Sequence, residues 1–85
     1  MWYVYILRCR DETLYTGITN DLGARIRAHN AGTGAKYTRG RGPVELIYCE
    51  TLSSHGDALR REYAIKQLSK QQKLALIAQK EAQTP

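Results

Sequence analysis

The seven residues Trp2–Arg8, WYVYILR, constrain the fold more than any other stretch of the chain. Aromatic and β-branched residues favour an extended strand. These are apolar at odd and even positions alike, so the strand needs cover on both faces and belongs in the centre of a sheet. A polar break, Arg10–Thr13, precedes a second strand at Leu14–Thr19. So short a link favours an antiparallel hairpin. Gly17 lies inside that second strand, where glycine weakens the pairing unless a backbone, a bulge or a ligand comes close.

Asn20 and Asp21 are good helix N-caps, and Leu22, Ile26 and the alanines recur after them at helical spacing, with Arg25, Arg27 and His29 at other positions. This predicts a helix of two to three turns ending near Asn30. Ala31–Gly42, AGTGAKYTRGRG, has no periodicity and contains four of the chain's 7 glycines. A loop of this length in so small a protein is a place to look for function. Pro43 closes it, and Val44–Glu50 reads as a third strand. Ser53 or Ser54 caps the next helix, which is expected to turn Ala58, Leu59, Ile65 and Leu68 to the core. Ser69-Lys70-Gln71-Gln72 is a capping-box pattern that starts a last helix through Leu74 and Ile77. The expected fold is α+β, order β-β-α-β-α-α, with a three-stranded, mainly antiparallel sheet flanked by helices.

Size and charge set the remaining bounds. With 85 residues there is material for one core only. We expect one domain over residues 1–80 and a frayed tail over 81–85. No apolar run is long enough to span a bilayer, and the N-terminus lacks the pattern of a secretory signal. Two cysteines, Cys9 and Cys49, are too few for a disulfide-stapled secreted domain and too far apart in sequence for a zinc motif. A cytoplasmic protein with reduced cysteines is the expectation, as a monomer or a weak homodimer. The net charge is +5, which favours polyanionic partners over a membrane. It is unevenly spread: Arg25, Arg27, Lys36, Arg39 and Arg41 follow one another with no acid between them. Basic residues interleaved with glycines and Tyr37 suit phosphate contact, by guanidinium and by backbone N–H.

There are 6 tyrosines and no phenylalanine. Packing alone does not require the hydroxyl. Tyr3 and Tyr5, two apart on the first strand, face the same side, and the hairpin brings Tyr15 towards Tyr5. Glu62, in Arg60-Arg61-Glu62, is mid-helix and shares a face with Lys66. Taken alone it reads as a surface acid paired with that lysine. His29 at its helix end reads either as a cap on the last carbonyls or as a group titrating near neutral pH.

Together these residues resemble the GIY-YIG nuclease superfamily. Tyr3-Val4-Tyr5 and Tyr15-Thr16-Gly17 look like its paired motif, Arg25 like its helix arginine, and Glu62 like its acidic residue. The similarity runs in order from Trp2 to about Ile77. His29-Asn30, Gly34-Ala35-Lys36-Tyr37-Thr38-Arg39 and Arg61-Glu62 with Ile65-Lys66 resemble its small stand-alone bacterial subgroup (YhbQ-like). The chain departs from the family pattern where Tyr3 stands for Gly, Val4 and Thr16 for Ile, and Ile18 for a Lys found in some repair nucleases.

The resemblance implies hydrolysis of phosphodiester bonds in DNA, with RNA as a further substrate to test, and a setting in DNA repair. It implies one Mg²⁺ or Mn²⁺ held by Glu62. Tyr5 and Tyr15 would position or deprotonate water, with Tyr15 the expected base. Arg25 would stabilise the developing charge and His29 would assist proton transfer. Gly17, Arg27, Lys36, Tyr37, Thr38, Arg39, Arg41 and Lys66 are the expected nucleic-acid contacts. With no added DNA-binding domain, preference should come from shape rather than sequence. Two alternatives remain: a non-catalytic nucleic-acid-binding module of the same fold, and a subunit that docks on another protein.

Overall fold

The computed structural model describes residues 1–83. Its elements are β1 (Trp2–Arg8), β2 (Leu14–Thr19), α1 (Leu22–Asn30), β3 (Glu45–Leu52), α2 (His55–Lys66) and α3 (Lys70–Gln83). This is the expected order in an α+β fold. The third strand begins and ends later than the apolar pattern suggested.

The sheet order is β2-β1-β3, with β1 antiparallel to both neighbours. The two-faced strand is therefore central, and Val4, Tyr5, Ile6 and Leu7 are all fully buried. On one face Val4 and Ile6 pack with Ala58 and Ile65 of α2 and Ile77 of α3. On the other, Tyr5 and Leu7 pack with Cys9 and Val44, and with Tyr15, Leu22 and Ile26 around them. Each fully buried aliphatic side chain contributes roughly 1.5–3 kcal/mol. β1 is thus the common wall of two small cores.

Side chains that close exposed backbone groups set the helix starts. Asp21 accepts from the Ala24 N–H at the head of α1, and Ser54 from the Asp57 N–H at the head of α2. Before α3 the capping box forms in both directions: Gln72 N–H donates to Ser69 Oγ at 3.1 Å and Ser69 N–H to Gln72 Oε1 at 2.8 Å.

Some expectations need correcting. Leu59 is not a core residue; it is 45% exposed. On α2, Ala58 and Ile65 take the inward stripe and Leu59 lies one helical step round from it. Glu81 does not begin a frayed tail, because α3 continues to Gln83; residues 84–85 of that tail lie outside the described residues. Cys9 and Cys49 are both free, as expected. Among the described residues no helix is long and apolar enough to cross a membrane.

Candidate active site

The site is built on the hairpin. Tyr5 stands opposite Gly17, and Leu7 opposite Tyr15. Partners across an antiparallel pair point to the same face, so Tyr5 and Tyr15 are diagonal neighbours, with ring centroids 6.4 Å apart. The hydroxyl end of the Tyr5 ring lies over Gly17. A Cβ on Gly17 would sit 2.5 Å from Tyr5 Oη and 2.7 Å from its Cζ. Gly17 is buried and is no contact for a nucleic acid. The group that comes close to it is a tyrosine ring. Because β2 is an edge strand, this arrangement carries the Tyr5 hydroxyl to the edge of the sheet.

α1 presents two functional side chains on its inward face. Leu22, Arg25, Ile26 and His29 are spaced i, i+3, i+4, i+7 and form one stripe. The apolar members pack on the sheet. The polar members turn inward as well. His29 is 1% exposed and Arg25 half-buried. The Arg25 guanidinium faces the hydroxyls of Tyr5 and, less closely, Tyr15; the Tyr5 contact raises its pKa despite the opposing effect of burial. Its Nε is buried with no hydrogen-bond partner.

His29 is neither a cap nor a solvent-exposed titrating group. Nε2 lies 2.9 Å from Tyr5 Oη and Nδ1 2.7 Å from Thr38 Oγ1. Burial lowers its pKa from the usual histidine value, and the nearby positive charge of Arg25 lowers it further. It is therefore neutral at pH 7. Tyr5 titrates above the ordinary tyrosine value. Burial is the main cause, Tyr15 and Glu62 add to it, and Arg25 opposes it.

Glu62 comes from α2, which packs against β2 and β1, and its carboxylate is within electrostatic reach of Tyr5. Its side chain is 19% exposed and sits 3.4 Å from Lys66 Nζ. Lys66 pairs with Glu62 while its own side chain stays 48% exposed. Among the described residues, no three His, Cys, Asp or Glu side chains gather. A lone carboxylate of this kind suits Mg²⁺ or Mn²⁺. Mg²⁺ in particular commonly takes one or two carboxylates and keeps several waters. The donor set does not suit zinc, which wants three or four protein ligands.

The constellation of two tyrosines, a helix arginine and a lone helix glutamate coincides with a family comparison. Residues 1–75 match the model of the GIY-YIG catalytic domain. The chain belongs to the GIY-YIG family. Within it, the chain is similar to the UPF0213 proteins. One from Clostridium perfringens is 61% identical over 80 residues, covering 94% of this chain and 86% of that protein. One from Staphylococcus haemolyticus is 56% identical over 78 residues, covering 92% and 95%. The solution structure of a Bacillus halodurans UPF0213 protein is 48% identical, with a TM-score of 0.62, covering 94% of this chain and 86% of that one.

In this GIY-YIG chain the loop between α1 and β3 is tied to the site, not free. Tyr37 stacks on Tyr15 with centroids 5.8 Å apart and planes 27° apart. Arg41 also lies over the Tyr37 ring, 4.5 Å from its centroid, and pairs with Asp11 in the hairpin turn. Tyr37 is thus held by Tyr15 and Arg41 while 41% exposed, and Arg41 is partly neutralised. Arg27, Lys36 and Arg39 are exposed, as phosphate contact requires. Thr38 is corrected: at 1% exposure it cannot touch a nucleic acid and bonds His29 instead. Sequence reasoning also missed Gly34, where a Cβ would sit 2.5 Å from His29 Nδ1, and Asn30, whose Oδ1 accepts from the Val44 N–H at 2.7 Å. Nothing in a Gly-rich basic loop marks which threonine or glycine turns inward.

Proposed function

We propose that this protein is a metal-dependent endonuclease that hydrolyses phosphodiester bonds in DNA, selecting its site by backbone and shape. The observation that carries the reading is Arg25. A guanidinium that faces two tyrosine hydroxyls, with no carboxylate hydrogen-bonded to it among the described residues and a buried Nε without a partner, is arranged for an anion that arrives from outside. A phosphodiester in its charge-rich transition state is such an anion.

The residues divide the work by exposure. Tyr5 is fully buried, so it does not meet solvent water. Its part is to hold Arg25 while bonded to His29. Tyr15 is half-buried and faces the same arginine. It is the hydroxyl placed to orient the attacking water and take its proton. Glu62 would hold Mg²⁺ or Mn²⁺, which when bound supplies charge that acidifies water and polarises phosphate. Exposed Arg27, Lys36 and Arg39 would bind the phosphates on either side, without base readout. Further parts of the reading are a cytoplasmic location and a role in processing branched or damaged DNA.

The test uses the purified chain on supercoiled, linear and branched DNA and on RNA, with Mg²⁺, Mn²⁺ or chelator. Metal-dependent nicking that disappears in a folded Glu62→Gln variant is expected. Cleavage that survives both the substitution and the chelator overturns the proposal. Salt-dependent binding with no cleavage in any arm replaces it with the non-catalytic nucleic-acid-binding module, which the exposed loop cations also support.

A further inference from the structure

We infer that Thr38 is a positioning residue for Arg25, acting through a directional buried chain Tyr5–His29–Thr38–Ala35 that turns the lone pairs of Tyr5 towards the guanidinium. This rests on the proposed role of Arg25 and goes beyond it, because Thr38 reaches neither substrate nor arginine.

The direction of the chain follows from the donor inventory. Tyr5 Oη is fully buried and has two polar neighbours, Arg25 and His29 Nε2. A guanidinium carries donors only. The hydroxyl proton of Tyr5 therefore goes to Nε2, which must be the unprotonated nitrogen of the neutral ring. Nδ1 then carries the ring proton and donates to Thr38 Oγ1 at 2.7 Å. The Thr38 hydroxyl, having accepted, donates its own proton to the Ala35 carbonyl at 3.1 Å. The reverse order would put Nε2–H and Arg25 both against Tyr5 and leave the buried tyrosine proton with no acceptor. The Ala35 N–H points at Nδ1 from 3.4 Å; a protonated Nδ1 forgoes this contact, which at the long end of hydrogen-bonding range costs less than a buried tyrosine proton without an acceptor.

The loop backbone fixes the ring in this orientation. The absent side chain of Gly34 lets the loop close on Nδ1, and the Thr38 N–H bonds the same Ala35 carbonyl at 3.2 Å. That anchors the short turn from Ala35 to Thr38. Its sequence, Ala35-Lys36-Tyr37-Thr38, places exposed Lys36 and Tyr37 outside and Thr38 inside. The segment that offers a cation to a phosphate thus also sets the tautomer behind the arginine. With the chain in place, Tyr5 accepts from Arg25. With the tautomer reversed, Tyr5 presents a proton to it, and the guanidinium is pushed away.

Nitrogen-detected NMR of the histidines in the full chain reads this directly and needs no activity. Wild type should show His29 as the Nδ1–H tautomer, with Nε2 in the acceptor range. Thr38→Val, which keeps the shape and removes the hydroxyl, should shift the His29 signals towards a mixture and move the Arg25 Nε–H resonance. Thr38→Ser should restore both. In cleavage, Thr38→Val should lower kcat about tenfold at unchanged KM, with rescue by Thr38→Ser. An Nε2–H tautomer in wild type overturns the inference without needing any variant to fold. Unchanged His29 and Arg25 signals in Thr38→Val, or a serine variant that fails to restore them, overturn it as well. If wild type cleaves nothing, the nuclease reading fails, while the NMR signals still decide the hydrogen-bond chain.

Discussion

Two of the molecule's tyrosine–arginine clusters, one on each face of β1, are wired differently. In one, Tyr48 and Glu50 of β3 meet Arg61 of α2. Arg61 Nε donates to both carboxylate oxygens of Glu50, at 2.9 and 3.0 Å, a second guanidinium nitrogen donates at 2.8 Å, and Tyr48 donates to the same carboxylate. Burial and the Glu50 hydrogen bond push Tyr48 up to about 12. Burial raises the Glu50 carboxyl too, but Arg61 and Tyr48 outweigh it and hold the group below its ordinary value. Here the cation, anion and hydroxyl satisfy one another. In the other cluster, Arg25 faces Tyr5 and Tyr15 with no carboxylate bonded to it and one N–H left over. The first cluster holds β3 to α2. The second is unsaturated, and an unsaturated buried donor in a native fold calls for a ligand or another reason to be there.

Breaking each arginine should separate the two. Arg25→Met should cut cleavage by roughly 100-fold or more, as the loss of a transition-state donor does, with the melting temperature unchanged or raised. Arg61→Met should do the opposite. With Glu50 left unpaired, stability should fall by roughly 1–2 kcal/mol, discounted for the partial exposure of Arg61. Its kcat per folded molecule should stay near wild type. Thermal melts and single-turnover cleavage on both variants check this. A stable, inactive Arg61→Met would sink the contrast.

Gly17→Ala sharpens it from the packing side. The new methyl would collide with the Tyr5 ring, and the strand and ring must shift, destabilising the fold by roughly 1–3 kcal/mol. Denaturant unfolding measures it; an unchanged midpoint would mean that Tyr5 does not lie across Gly17.

A smaller effect comes from pH. Folded His29 titrates below its unfolded value of about 6.5. The unfolded chain therefore binds more protons as pH falls through 6.5, and this part of the stability, complete above that pH, is lost towards the folded pKa. Melting temperatures between pH 7.5 and 5.5 should fall in wild type and flatten in His29→Gln.

The smallest effect separates the loop cations. Lys36→Ala and Arg39→Ala should each reduce the salt slope of DNA binding by about one. Arg41→Ala should reduce it less, because Asp11 already shares its charge. Equal slopes for all three would show that the Arg41–Asp11 pair opens on binding.

Much of this architecture was legible in residue order. The two-faced run Trp2–Arg8, the polar break, the caps at Asp21, Ser54 and Ser69, and the apolar spacing all act between neighbours, so a one-dimensional pattern carries them. The pairing of Tyr5 with Tyr15 followed from strand parity and a short turn. The loop and the inward face of α1 were not legible. Arg25 and His29 look like surface residues until the sheet supplies Tyr5 as their partner, and Leu59 looks like core until Ala58 and Ile65 take that side.

Residue order alone makes β1 central, sets the succession of six elements and supplies the tyrosine, arginine and glutamate candidates. Local sterics, capping and periodicity are sufficient for those. Folding in three dimensions is what turns Thr38 inward, lays a ring against Gly17, pairs Lys66 with Glu62, and leaves Arg25 incompletely paired while Arg61 is not. Each of these depends on which donor meets which acceptor across segments distant in sequence, and composition and spacing do not encode that match.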